Sequence, residues 1–193
     1  MNHTQTLILA SSSPRRKELL EDLRISFEVS SSDVDESFDS SLFPEEIVMD
    51  LAKRKAESIV SDKENSYIVG ADTIVYYKGN VLGKPQSKEQ AYSMLKQLSG
   101  STHSVYTGVA IVFNGHCSTF YEKTDVVFWN LTDEEINNYL DTGEPFDKAG
   151  AYGIQGVGRT LVRRITGDYY TVVGLPISRL IRELKAVGFT IPF

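Results

Sequence analysis

Ser11-Ser12-Ser13-Pro14-Arg15-Arg16-Lys17 sets three hydroxyls and three cations directly behind an apolar run, Leu7 to Ala10. Pro14 suits the first position of a helix, where its missing N–H leaves no bond unmade, and Ser13 is placed to cap the N–H groups that follow. Hydroxyls, free N–H groups and the positive end of a helix dipole form an anion cradle, to which Arg15 and Arg16 add guanidinium forks matched to phosphate oxygens. The plain alternative is a capped surface helix with a solvated basic first turn. The dipole disfavours cations there, so the phosphate reading is preferred.

Four further positions break the pattern around them. Asp72 puts a carboxylate inside the apolar run Ile68 to Val75, where it needs a cation, a metal or a proton; it is either a structural ion-pair partner or a functional acid. Its small neighbours Gly70 and Ala71 would let a ligand approach. Lys55 falls on the stripe of Leu51, Ala52 and Ile59 that faces a core, while Lys53 and Arg54 point away from the centre of that stripe. It is either a snorkelling lysine or one aimed into a site. Lys84, between Gly83 and Pro85, projects from an extended loop, and Gln155 stands among glycines that permit close backbone approach, though a plain turn accounts for it nearly as well. With Ser11, Arg15 and Arg16 these residues supply positive charge, and Asp72 with Asp35-Glu36 supplies carboxylates. Cations around a polyphosphate, plus carboxylates able to hold Mg²⁺ and to deprotonate water, are the requirements of hydrolytic phosphoryl or nucleotidyl transfer. No GxxxxGK[ST] loop occurs, which excludes an ordinary P-loop NTPase.

Composition narrows the partners. The net charge of −6 over 193 residues argues against a nucleic-acid polymer or an anionic membrane and favours a small phosphorylated ligand. The apolar run near the N-terminus is too short for a signal-peptide core, and no segment has the length of a membrane span, so a cytoplasmic protein is expected. Cys117 is the only cysteine, and His3, His103 and His116 have no ligand spacing with it or with one another, which makes a zinc site improbable. The sequence does not set the oligomeric state; a homodimer is the self-assembly to test.

The elements that must position these residues read as one continuous α/β unit, 1–193. After the first strand and helix, Ile25 to Ser30 reads as a strand leading into an acidic loop, and Pro44-Glu45-Glu46 opens a helix. Tyr67 to Tyr77 is a strand that turns at Lys78-Gly79-Asn80 and returns through Val81-Leu82. Ser87 with Gln90 and Thr132 with Glu135 predict capping boxes for two helices, with an Asn114-Gly115 hairpin of residues 102–113 and 116–129 between them. Thr160 to Ile165 and Tyr169 to Val173 read as strands, and Pro176 to Val187 as the last helix. Hairpins mixed with helices predict a mixed sheet.

Five ordered motifs carry a resemblance across nearly the whole chain: Ser11-x-Ser13-Pro14-Arg15-Arg16, Leu51-Ala52-x-x-Lys55-Ala56, Gly70-Ala71-Asp72-Thr73, Gly83-Lys84-Pro85 and Asp147-Lys148-Ala149-Gly150-Ala151-Tyr152-Gly153-Ile154-Gln155-Gly156. The sequence resembles the Maf family of nucleoside triphosphate pyrophosphatases, also described as septum-formation inhibitors. The resemblance implies a mixed, elongated α/β fold similar to the inosine triphosphate pyrophosphatase group, with two lobes around a central cleft. It implies Asp72 as general base, Ser11, Arg15, Arg16, Lys55, Lys84, Thr73 and Gln155 as substrate-binding residues, and Glu36 with Asp72 as ligands of a divalent metal, Mg²⁺ foremost. Arg15, Thr73 and Gln155 fall on positions associated with substrate choice, and their motifs resemble the dTTP and UTP branch rather than the 7-methyl-GTP branch. Many members carry two glutamates where this chain has Asp35-Glu36. The rival readings are a non-catalytic nucleotide-binding regulator of septum formation, which loss of the Asp72 carboxylate would mark, and a 7-methyl-GTP pyrophosphatase.

Overall fold

The computed structural model describes residues 5–59 and 65–193. Its strands are β1 (Thr6–Ala10), β2 (Phe27–Val29), β3 (Ser66–Tyr77), β4 (Asn80–Leu82), β5 (Thr102–Phe113), β6 (His116–Phe128) and β7 (Val162–Thr166). Its helices are α1 (Pro14–Asp22), α2 (Pro44–Glu57), α3 (Lys88–Leu98), α4 (Asp133–Asp141), α5 (Tyr169–Val173) and α6 (Ile177–Ala186), and three 3₁₀ turns lie between α4 and β7. The strands form a seven-stranded mixed sheet in the order β2-β1-β3-β5-β6-β7, with β4 paired to β3 off that path. The expected α/β class with helices flanking a mixed sheet is what is found. The chain divides into two compact units; β3, β5 and β6 contribute residues to both.

The first unit holds residues 1–72, 107–122 and 174–193. β1 pairs in parallel with both β2 and β3, which requires the crossover segments that α1 and α2 supply. The register sets Leu9 opposite Val69 and Ala10 opposite Gly70, so Ser11, just past the end of β1, and Asp72, midway along β3, lie toward the same end of the β1–β3 pair. α2 lies close against the sheet on glycines: a Cβ on Gly70 would collide with the Ala52 carbonyl and Ala56, and one on Gly108 with Val48. The space beside Gly70 is therefore taken by a helix, not left for a ligand as its size suggested. Ala52 and Ala56 join Ile8, Ala10, Ile68 and Ala110 in a small core whose close packing leaves no room for added methyl groups.

The second unit holds residues 73–106 and 123–173. Its core gathers Val75, Leu95, Leu98, Val126, Phe128 and Tyr152 with neighbours from α3 and α4. The turn between β3 and β4 has positive φ at Lys78 and Gly79, as the right-handed twist of a two-residue hairpin demands. Several local expectations are corrected here. Tyr169–Val173 is a helix: the Asp168 carboxylate accepts from the backbone N–H groups of Tyr170 and Thr171 and from the Thr171 hydroxyl, so a cap overrides the strand preference of Thr, Val and Tyr. The segment Val157–Leu161 is a 3₁₀ turn, and the strand starts only at Val162. Ser87 accepts from the Gln90 N–H, but the Gln90 side chain accepts from Gln86 N–H instead of closing the box. The Thr132–Glu135 box is complete.

Candidate active site

The loop after β1 is tied together by a serine other than the one expected. Ser13 makes no side-chain cap; Ser11, buried at the strand end, accepts from the Ser13 N–H at 3.2 Å and from Arg16 Nη1 at 3.2 Å. Arg16 also donates through Nε to the Gly174 carbonyl at 2.7 Å, which draws its guanidinium back along the loop. Desolvation lowers the Arg16 pKa, and Asp72 and Glu36 oppose that while the neighbouring Arg15 adds to it. The cradle is thus preorganised by its own arginine, and its field reaches the carboxylates of β3 and the acidic loop.

Lys55 stands at the centre of the first unit's polar cluster. Its ammonium lies 2.6 Å from Asp72 Oδ1 and 2.7 Å from Glu36 Oε1. α2 carries it on the buried face, as the apolar stripe predicted, and β3 carries Asp72 out of the sheet one turn of pleat beyond Gly70. Lys55 and Asp72 are each only 8% exposed, whereas the Glu36 side chain is half in solvent. The buried ammonium meets two carboxylates, so Asp72 and Lys55 each have the partner that a charge at such a position requires.

Arg54 is a residue that spacing alone did not single out. It donates from Nη1 to the Asp35 carbonyl and from Nη2 to the Ser37 carbonyl, and it pairs with Asp50 at 2.9 Å. These bonds flank Glu36, so consecutive residues of α2 hold the acidic loop, Arg54 by its backbone and Lys55 by its carboxylate. Asp35 turns back on Ser37, accepting from its N–H and its hydroxyl, and that bonding lowers the Asp35 pKa. The only sequence signal was adjacency to Lys55.

Three of the predicted site residues belong to the second unit. Thr73 is its first residue, following Asp72 along β3. Lys84 is exposed, in a loop held to the glycine-rich segment by a bond from Gly150 N–H to the Gly83 carbonyl. Gln155 is carried by a stretch of unusual backbone, with positive φ at Gly150, Ala151 and Gly156. Non-glycine residues avoid that region, so Ala151 is held there by its surroundings. The bracing groups were not read from sequence. Glu144 accepts from Val157 N–H at 2.8 Å and from Gly158 N–H at 3.2 Å, and the Tyr139 hydroxyl accepts from Gly153 N–H at 3.2 Å. The Tyr152 hydroxyl shares a 2.7 Å hydrogen bond with Nε2 of His103, whose pKa burial pushes down to about 4, so the imidazole is neutral at pH 7. A glutamate that binds a distant backbone, or a histidine that binds a distant hydroxyl, carries no local spacing signature.

Among the described residues no group of three or more His, Cys, Asp or Glu side chains gathers as a metal cage. Glu36 and Asp72 are two carboxylates that share the Lys55 ammonium. Two carboxylates fit a hard cation such as Mg²⁺ that keeps waters and takes its other ligands from phosphates.

Comparison with known proteins adds three findings. Residues 6–187 match the family described as Maf-like protein. The chain is 54% identical over 187 residues to the dTTP/UTP pyrophosphatase of Halalkalibacterium halodurans, covering 97% of this chain and 98% of that protein. It is also 54% identical over 183 residues to the dTTP/UTP pyrophosphatase of a Geobacillus species and over 179 residues to that of Bacillus cereus, covering 98% and 94% of those proteins.

Proposed function

Because the chain belongs to the Maf family, we propose that it is a nucleoside triphosphate pyrophosphatase that hydrolyses dTTP and UTP to the monophosphate and pyrophosphate. The single observation that carries this reading is the Lys55 ammonium held between Asp72 and Glu36 beside the Ser11–Arg16 cradle. A phosphate-rich substrate binds the arginines and competes for Lys55, which frees the Asp72 carboxylate to take a proton. Water oxygen then bonds to the α-phosphorus as the bond to the bridging α–β oxygen breaks; the water proton passes to Asp72, and pyrophosphate leaves with the electron pair. Arg15, Arg16, Lys55 and Lys84 neutralise the phosphates, the Ser11 hydroxyl donates a hydrogen bond to them, and Thr73 and Gln155 discriminate the base. Glu36 and Asp72 would hold Mg²⁺, which supplies charge neutralisation at phosphate oxygens. The relatives' names support dTTP and UTP as substrates. Pyrophosphate release measured over dTTP, UTP, ATP and GTP tests the reading: the two pyrimidine nucleotides should turn over far faster, and Asp72→Asn should lose on the order of 10²- to 10⁴-fold while still folded. Equal rates on all four nucleotides, or a folded Asp72→Asn protein with normal turnover, would refute it.

A further inference from the structure

Three arginines of the second unit face one open pocket of about 450 Å³ and have no carboxylate partner among the described residues. Arg159, Arg163 and Arg164 line it together with Gln155 and Tyr169, over an apolar side formed by Ile154 and Ile165, and no Asp or Glu is in the lining. In a chain with 26 acidic and 20 basic residues such a gathering runs against the composition. Four lysines of the same unit each have an aspartate: Lys88 with Asp141, Lys96 with Asp133, Lys123 with Asp125 and Lys148 with Asp147.

The arginines are also oriented in ways that keep donors available. Arg159 is tethered by Nε to the Gly156 carbonyl at 2.6 Å, which fixes its stem while its terminal nitrogens make no bond among the described residues. The Arg163 guanidinium stacks on the Trp129 ring at 5.1 Å, a contact that uses the face of the group and leaves its in-plane N–H donors for another acceptor. Arg163 and Arg164 are consecutive on β7 and both line the pocket; the register against β6 slips between them, Val127 facing Arg164 and Phe128 facing Val162, which breaks the strict alternation of side chains at Arg163. Three guanidiniums offer more donors than one carboxylate has oxygens. They match a tetrahedral, multiply charged anion, and the volume is that of a small-molecule site.

We propose that this pocket binds a phosphate-bearing anion, held by Arg159, Arg163 and Arg164 with the Gln155 amide and the Tyr169 hydroxyl as neutral partners. The site is separate from the Asp72–Lys55–Glu36 cluster in its residues. Since Gln155 is shared with the base-discriminating positions, occupancy would alter substrate choice, a consequence that rests on the proposed function; the binding itself does not.

Titration of ¹⁵N-labelled full-length protein with inorganic pyrophosphate in EDTA tests this, read at the arginine Nε–H and Gln155 side-chain amide signals. The signals of Arg159, Arg163, Arg164 and Gln155 should move together along one saturating curve, and Arg164→Gln should weaken that curve about tenfold, the effect of removing one charged hydrogen-bonding fork. Shifts confined to Arg15 and Arg16, with the pocket signals unmoved, would overturn the proposal. Repeating the titration with dTMP identifies the source of the anion. If dTMP moves the pocket signals and pyrophosphate displaces it, the pocket takes a nucleotide's phosphate; if pyrophosphate alone moves them, it takes the free anion. An inactive wild type whose pocket signals still respond would remove the proposed function and leave the pocket standing, whereas an active enzyme with silent pocket signals would remove the pocket alone.

Discussion

Lys55→Met is the most informative perturbation of the first unit, because it removes a charge and keeps an unbranched apolar stem. In the wild type the ammonium bonds Asp72 Oδ1 at 2.6 Å with both side chains close to fully buried. Methionine suits the apolar neighbours of α2, so the packing loss is small. What remains is a buried carboxylate stripped of its nearest cation. Removing one partner of a buried pair costs about 3 to 5 kcal/mol. The field of Arg16 at Asp72 tempers that loss, and an outcome of about 3 kcal/mol at pH 7 is expected. Adding Asp72→Asn should recover most of the stability of the single variant, because it removes the stranded charge. Urea unfolding at pH 7 reads the stability. Pyrophosphate release reads kcat/KM, expected to fall by about 10²-fold or more from the lost contact to the phosphates. Unchanged stability at pH 7 would refute the buried ion pair, and unchanged kcat/KM in a folded variant would confine Lys55 to a structural role.

Arg54→Met should release the acidic loop around Glu36, giving faster chymotryptic cleavage at Phe38 and a roughly tenfold lower kcat/KM with little change in unfolding free energy; unaltered cleavage would show that the bonds to Asp35 and Ser37 do not hold the loop. His103 has its folded pKa near 4, below the unfolded value, so the unfolded chain takes up the extra proton and stability should decline as pH drops from about 6.5 toward 4, by about 3 kcal/mol in all, a decline that His103→Gln should largely abolish. Glu144→Gln should weaken its bonds to Val157 and Gly158 and reduce the preference for dTTP over ATP more than the rate on dTTP, measured as the ratio of kcat/KM values; an unchanged ratio would show that Gln155 keeps its place without that brace.

What could be read from the sequence was what local pattern controls. A lysine on an apolar helical stripe and an aspartate in a hydrophobic strand are each costly alone, and the fold pairs Lys55 with Asp72. The strand, turn and helix from Leu7 to Leu20, both hairpin turns and the Thr132 box follow from proline, glycine and capping preferences that act within a few residues. Long-range choices were not legible. Ser13 had the right place for a cap, yet the bond goes to Ser11 because Arg16 and the strand end converge on that hydroxyl. Gly70 looked like room for a ligand and is instead room for α2. Tyr169–Val173 has strand-like composition, but Asp168 starts a helix there. Glu144, Tyr139 and His103 brace the Gln155 segment from other parts of the second unit, and only the folded chain brings them to it.

In the proposed reaction Asp72 directs water to the α-phosphorus. The most direct measurement is hydrolysis of dTTP by the wild-type protein in ¹⁸O-labelled water, with mass analysis of both products. The label should be found in dTMP and be missing from pyrophosphate, because the water oxygen stays on the phosphorus it attacks. Label in inorganic phosphate, with dTDP as the other product, would contradict the account.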